Sequence, residues 1–149
     1  MIPSPVRTLA AALALTAAAA PAAAQSASPV NIPFETYRLD NGLRVILVPD
    51  PSTPVVAVNL WYDVGSRNER AGRTGFAHLF EHMMFKSTKN QPSESFDRLT
   101  EDVGGENNAF TADDVTVYHE TVPSNYLEPL LWAEADRMRN LQVNAENFS

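Results

Sequence analysis

The residues of this chain best suited to chemistry are two histidines four positions apart with a glutamate between them, His78-Leu79-Phe80-Glu81-His82. Neutral imidazole nitrogens bind zinc at about 2.0 to 2.1 Å, and a catalytic zinc takes three protein ligands and keeps a fourth position for water. The spacing works on a helix. At about 100° per residue, His78 and His82 lie about 40° apart on one face and Glu81 about 60° from His78, an arrangement expected to point all three into one cavity. In that arrangement His78 and His82 are metal ligands and Glu81 is a general base. Zinc brings the pKa of a bound water to about 7, and a carboxylate within hydrogen-bond reach takes its proton as it attacks a carbonyl carbon. The pattern points to metal-assisted amide hydrolysis, with a non-catalytic structural metal site or hydrogen-bonded core histidines as the plainer alternatives.

The elements that must position these groups follow from periodicity. Residues 76–85 are compatible with a helix, with no proline before Pro92. Apolar residues surround that helix almost completely, so it is expected to be buried, and its polar groups then need partners. Upstream, Tyr37-Arg38-Leu39 and Leu43 to Val48 flank Asp40-Asn41-Gly42, where Asn-Gly is expected to supply the positive φ angles of a tight hairpin turn. Pro49 to Pro54 interrupts the sheet, Val55 to Val64 resumes it, and a loop from Gly65 to Gly75 leads to the histidine helix.

Downstream, Ser93 is expected to cap a second helix carrying Phe96, Leu99 and Val103, ended by Gly104-Gly105. Asn108 to Val122 reads as one strand, stopped by Pro123. A third helix starts at Ser124, with Leu127, Leu130, Leu131, Ala135 and Met138 as its apolar face and Glu128, Glu134 and Arg137 as its solvated side. His119, the remaining histidine, reads as structural rather than as a ligand, and Asp113-Asp114 as a turn or strand-edge pair rather than a second metal site. The order of elements predicts an α+β fold of two layers, a largely antiparallel sheet with helices on one face.

The histidine motif is the reverse of the commoner His-Glu-x-x-His order and has the inverzincin form. Together with Leu39-Asp40-Asn41-Gly42-Leu43, Gly75-Phe76-Ala77-His78, Glu81-His82-Met83-Met84-Phe85-Lys86, Gly104-Gly105, Asn108-Ala109-Phe110-Thr111 and Glu134-Ala135-Asp136-Arg137-Met138, it resembles the N-terminal catalytic segment of a family of zinc peptidases. That family includes pitrilysin, insulin-degrading enzyme and the mitochondrial processing peptidase. The resemblance implies a processing-peptidase-like metallohydrolase domain, incomplete at the C-terminus, with zinc as cofactor, His78 and His82 as two of its ligands and Glu81 as general base. It also implies a third ligand, a glutamate on a later helix at about position 159. The chain ends at Ser149, so it is expected to be a fragment truncated before that ligand. Asn108, Ala109 and Phe110 match the family strand that borders the cleft and binds substrate by strand addition, although the residues alone favour an ordinary sheet strand. The expected function is that of a zinc-dependent metalloendopeptidase acting on a peptide or unfolded protein, with a second homologous domain or subunit as a further partner. The alternative is a non-catalytic peptide-binding chain or partner subunit of a peptidase complex.

Residues 1–24 read as a secretory signal peptide. Arg7 precedes an apolar run from Leu9 to Ala20, and Ala22-Ala23-Ala24 fits a cleavage site. The run is short for a transmembrane helix, which needs about 20 apolar residues, and an uncleaved anchor is the alternative. Residues 25–33 are expected to form a flexible leader and residues 34–149 the N-terminal part of a zinc peptidase catalytic domain. The formal net charge of −7 disfavours nucleic acid and anionic membrane as partners, and no stable membrane insertion is expected after cleavage. The absence of cysteine excludes disulfides and thiolate-bound metal. Signal and resemblance together suggest export, to a bacterial periplasm.

Overall fold

The computed structural model describes residues 30–148, which fall into two compact units, one ending at Pro49 and the other beginning at Asp50. The expected signal peptide and the first part of the leader, residues 25–29, lie outside the described residues. Residues 30–34 carry no regular structure. No helix among the described residues is long and apolar enough to cross a membrane.

The first unit is a hairpin of β1 (Glu35–Arg38) and β2 (Arg44–Leu47), antiparallel with Tyr37 opposite Val45. The first strand starts earlier than expected, at Glu35, and the second is shorter, and both stop one residue short of the turn because Leu39 and Leu43 close it. The Leu39 N–H donates to the Leu43 carbonyl at 2.9 Å and the Gly42 N–H to the Leu39 carbonyl at 2.8 Å. Only Gly42 takes a positive φ, +89°, and Asn41 instead accepts the Leu43 N–H on its side chain. The connection is therefore a three-residue turn closed by glycine rather than a two-residue Asn-Gly turn.

The second unit contains a three-stranded antiparallel sheet in the order β3 (Val55–Tyr62), β5 (Thr116–Pro123), β4 (Glu106–Thr111). Its helices are α1 (Phe76–Met83), α2 (Ser95–Glu101) and α3 (Leu127–Asn140). The single strand expected over Asn108 to Val122 is in fact the β4–β5 hairpin, reversing at Asp113-Asp114, where the Ala112 N–H donates to the Val115 carbonyl. A loop from the end of β3 braces this reversal. Ser66 and Arg67 donate their N–H groups to the carbonyls of Ala112 and Asp113, and a Cβ on Gly65 would lie 2.2 Å from the Ala112 oxygen, so only glycine lets the two backbones meet.

Residues directly opposite on paired strands share a face of the sheet. Val56, Val58, Leu60 and Tyr62 of β3 thus line up with Thr116, Tyr118, Glu120 and Val122 of β5, and with Asn107, Ala109 and Thr111 of β4. All three helices bond to this face: Thr111 to Glu81 of α1, Asn107 to Thr100 of α2, and Glu120 to Arg137 of α3. The two-layer α+β expectation holds. Phe96, Val122, Leu130 and Ala133 form the apolar core between the layers. On the opposite face Trp61 and Phe110 flank Val117 and are themselves exposed.

Two expectations about helices fail. Ser93 does not cap α2; the position before the helix is Glu94, at a φ of +64°. On α3 the buried residues are Leu130, Ala133, Glu134, Asp136 and Arg137, while Leu131, Ala135 and Met138 are exposed. Glu134 and Arg137 are therefore interior residues, not a solvated side. The Arg137 guanidinium donates from Nε to Glu134 at 2.7 Å and from Nη2 to Glu120 at 2.9 Å and to Glu134. It lies 4.2 Å from the ring centroid of Phe96 and 4.5 Å from that of Tyr118, so aromatic faces complete its surroundings.

Burial, reinforced by the Glu134 carboxylate, pushes the pKa of Glu120 up to about 9. One position along α3, Asp136 accepts hydrogen bonds from Thr88, Asn90, Gln91 and Asn140. Desolvation works to raise the pKa of Asp136, but these donors together hold it well below the usual carboxylate range.

Arg137→Ala is expected to destabilise the fold by about 3–5 kcal/mol in urea denaturation, because it leaves the buried carboxyl groups of Glu134 and Glu120 without their shared partner. Glu120 binds its proton more tightly in the folded chain than its ordinary value of 4.5 allows in the unfolded one. Its contribution therefore makes stability fall as pH rises from about 4.5 towards 9. Glu120→Gln is expected to flatten that decline, measured as melting temperature across the same pH range.

Candidate metal centre

An eight-residue helix needs its ends secured, and α1 begins without a capping side chain of its own, since its N-cap is Gly75 at φ +93°. The cap comes from Glu69 in the preceding loop. Its Oε2 accepts the Gly75 N–H and its Oε1 the Ala77 N–H, both at 2.8 Å, which sets a carboxylate against the positive end of the helix.

His78 and His82 lie on successive turns of α1 with ring centroids 4.7 Å apart, and their Nε2 atoms converge to 3.1 Å. Two nitrogens bound tetrahedrally to one zinc ion, each at about 2.0 to 2.1 Å, stand about 3.3 to 3.4 Å apart, so this pair fits as two ligands of one metal. Among the described residues no third His, Cys, Asp or Glu joins them. Both imidazoles are exposed, as are Phe76, Leu79 and Phe80, so the expected all-round burial of the helix is not found among the described residues.

Glu81 is buried, and its Oε2 accepts a hydrogen bond from the Thr111 hydroxyl at the end of β4. A cavity of about 460 Å³ lies against it, walled mainly by Tyr62, Phe76, Phe80, Met84 and Tyr118. Glu81 borders this cavity but neither histidine does, contrary to the expectation that all three share one. The helical angles explain the difference. Glu81 is turned about 60° from His78 and about 100° from His82, so a rotation that sends the carboxylate to the sheet sends the imidazoles outwards.

Asn108, Ala109 and Phe110 lie on β4, an edge strand of the three-stranded sheet. Ala109 shares the face of Thr111 and Glu81, whereas Asn108 and Phe110 are on the other face and exposed. His119 pairs with Asn108 and so is also on the face away from Glu81. Asp113-Asp114 forms the hairpin turn, with Asp114 in an exposed ion pair to Arg67. Sequence reasoning missed Glu69 and Thr111 as partners of the helix. Glu69 has no local signal, since it reaches residues six and eight positions on, and Thr111 stood in the quoted Asn108-Ala109-Phe110-Thr111 string without a role.

Glu69→Ala is expected to cost about 1–2 kcal/mol, the scale of losing a helix cap. Hydrogen exchange at the Ala77 amide should accelerate by a corresponding factor while exchange in β5 follows only the global loss.

Comparison with known proteins places the chain in a family. The profile described as Insulinase (Peptidase family M16) matches residues 44–149. The zinc protease PqqE of Helicobacter pylori is 40% identical over 115 residues, covering 76% of this chain and 26% of that protein. A probable mitochondrial-processing peptidase subunit beta of Arabidopsis thaliana is 36% identical over 111 residues, covering 74% of this chain and 21% of its own. The crystal structure of a protease from Helicobacter pylori superposes with a TM-score of 0.76 at 39% identity, over 78% of this chain and 28% of that one. The chain thus spans about a quarter of the length of these relatives. With its reversed histidine motif on α1 and a profile match across most of its length, the chain belongs to the insulinase family, peptidase family M16.

Proposed function

We propose that this chain is the front portion of a zinc metalloendopeptidase in which His78 and His82 supply two zinc ligands and Glu81 is the general base. The observation that carries the reading is the convergence of the two Nε2 atoms to 3.1 Å beside a glutamate anchored in the sheet. Zinc, when bound, supplies a Lewis acid that polarises a carbonyl and brings the pKa of water to about 7. Glu81 takes the proton of the attacking water on a carboxylate oxygen and returns it to the leaving amide nitrogen. An extended peptide or unfolded protein adds to β4 along Asn108, Ala109 and Phe110, where an edge strand can pair its backbone with that of the substrate.

The family membership and the relatives' names as zinc proteases support the cofactor and the reaction. The name of the plant relative as a subunit supports a second homologous domain or subunit as partner. Export to a periplasm rests on the signal-like residues 1–24 alone.

The test is Glu81→Gln in the full natural polypeptide that carries this segment. Zinc content, measured by atomic emission, should stay at the wild-type stoichiometry, because both imidazoles remain. The turnover of a quenched fluorescent peptide should fall by about 10²–10⁴-fold. Cleavage within about twofold of wild type would remove Glu81 from the mechanism.

A further inference from the structure

The hydroxyl of Thr111 donates to Oε2 of Glu81 across 30 residues of sequence. Its direction is set by its neighbours. Thr111 stands opposite Thr116 in the β4–β5 ladder with their hydroxyl oxygens 3.5 Å apart, and Thr116 spends its own proton on the Val64 carbonyl at 3.0 Å. The Thr111 proton is thereby left for the carboxylate. Thr111 is half-buried and Glu81 only 7% exposed, so water competes little for this bond, and a hydroxyl bonded to a carboxylate is of the stronger, charge-assisted kind.

We propose that Thr111 is a positioning residue for peptide hydrolysis: it grips Glu81 by Oε2, presents Oε1 to the attacking water, and ties that orientation to β4. The proposal rests on the peptidase reading above. A glutamate has three side-chain torsions, and without a partner its carboxylate spreads over several rotamers, few of which aim an oxygen at the water. Because Thr111 directly follows Asn108-Ala109-Phe110, the strand that receives the substrate backbone and the strand that aims the base are one and the same. The register of a bound peptide and the position of the base are thus set by a single element.

The experiment uses Thr111→Val and Thr111→Ser in the full natural polypeptide. Thr111→Val keeps the β-branched shape and removes the donor, and Thr111→Ala serves if valine disturbs the strand. The expected result is a kcat lowered about 10- to 100-fold, a KM within about twofold of wild type and unchanged zinc content, with Thr111→Ser restoring kcat to within about threefold. In metal-free protein, Thr111→Val should raise the unfolding equilibrium constant about tenfold, and by no more than about threefold in a Glu81→Ala background, which reads the hydrogen bond without catalysis. A wild-type kcat in Thr111→Val, a serine variant as slow as the valine one, or no coupling to Glu81 overturns the proposal. A zinc-loaded wild type that cleaves no peptide overturns the peptidase reading itself, and the positioning role with it.

Discussion

An eight-residue helix has too few internal hydrogen bonds to persist in water alone, so α1 must take its position from residues distant in sequence. Three polar clamps hold it. The Glu69 carboxylate receives the N–H groups at its start, the Thr111 hydroxyl holds Glu81 in its last turn, and beyond its end Thr88, Asn90 and Gln91 are drawn to Asp136 on α3. Each clamp joins a carboxylate to neutral donors, the class of hydrogen bond that keeps its strength when partly shielded from water. Together they hold the helix about its axis with the glutamate inward and the imidazoles outward, the orientation on which any metal chemistry in this segment depends.

The third clamp works only because α3 is itself immobile, and Arg137 makes it so. A guanidinium between the rings of Phe96 and Tyr118, bonded to carboxylates from β5 and from its own helix, links both layers at one point. Such a buried cluster contributes less net stability than its short contacts suggest, since desolvating the ions offsets much of their attraction. It does demand one arrangement, because the planar donor fork meets its acceptors in few orientations. Burial and the nearby Glu134 carboxylate favour the protonated form of Glu120, which lessens the cost of a further buried negative charge. The central strand β5 therefore serves twice: it pairs with both neighbours, and its Tyr118, Glu120 and Val122 supply the surface on which α3 packs.

Local signals were read well where the physics is local. The hairpin at Asp40-Asn41-Gly42, the strand-forming run from Val55 to Val64 and the helical spacing of His78 and His82 each depend on residues within a few positions of one another. Asn108 to Val122 read as one strand, although Asp113-Asp114 was open as a turn, because that pair interrupts the run of strand-forming residues without a glycine or proline and its bracing comes from Ser66 and Arg67. Glu134 and Arg137 were misread for a related reason. Three residues apart on a helix, they have the spacing of a surface ion pair, and nothing nearby announces that Glu120 and two aromatic rings will enclose them.

By itself the sequence determined that two imidazoles and a carboxylate share one short helix, at angles set by 3.6 residues per turn, and that strand-forming residues from Asn108 onward follow it. Which way that helix faces was decided only by the tertiary structure. Periodicity sets the angles between side chains on a helix but leaves its rotation about its own axis undetermined. That rotation is chosen by what the helix packs against and by hydrogen bonds to residues such as Thr111, 30 positions away. The burial of Glu81 and the exposure of His78 and His82 are therefore products of the fold, even though the motif containing them is plain in the chain.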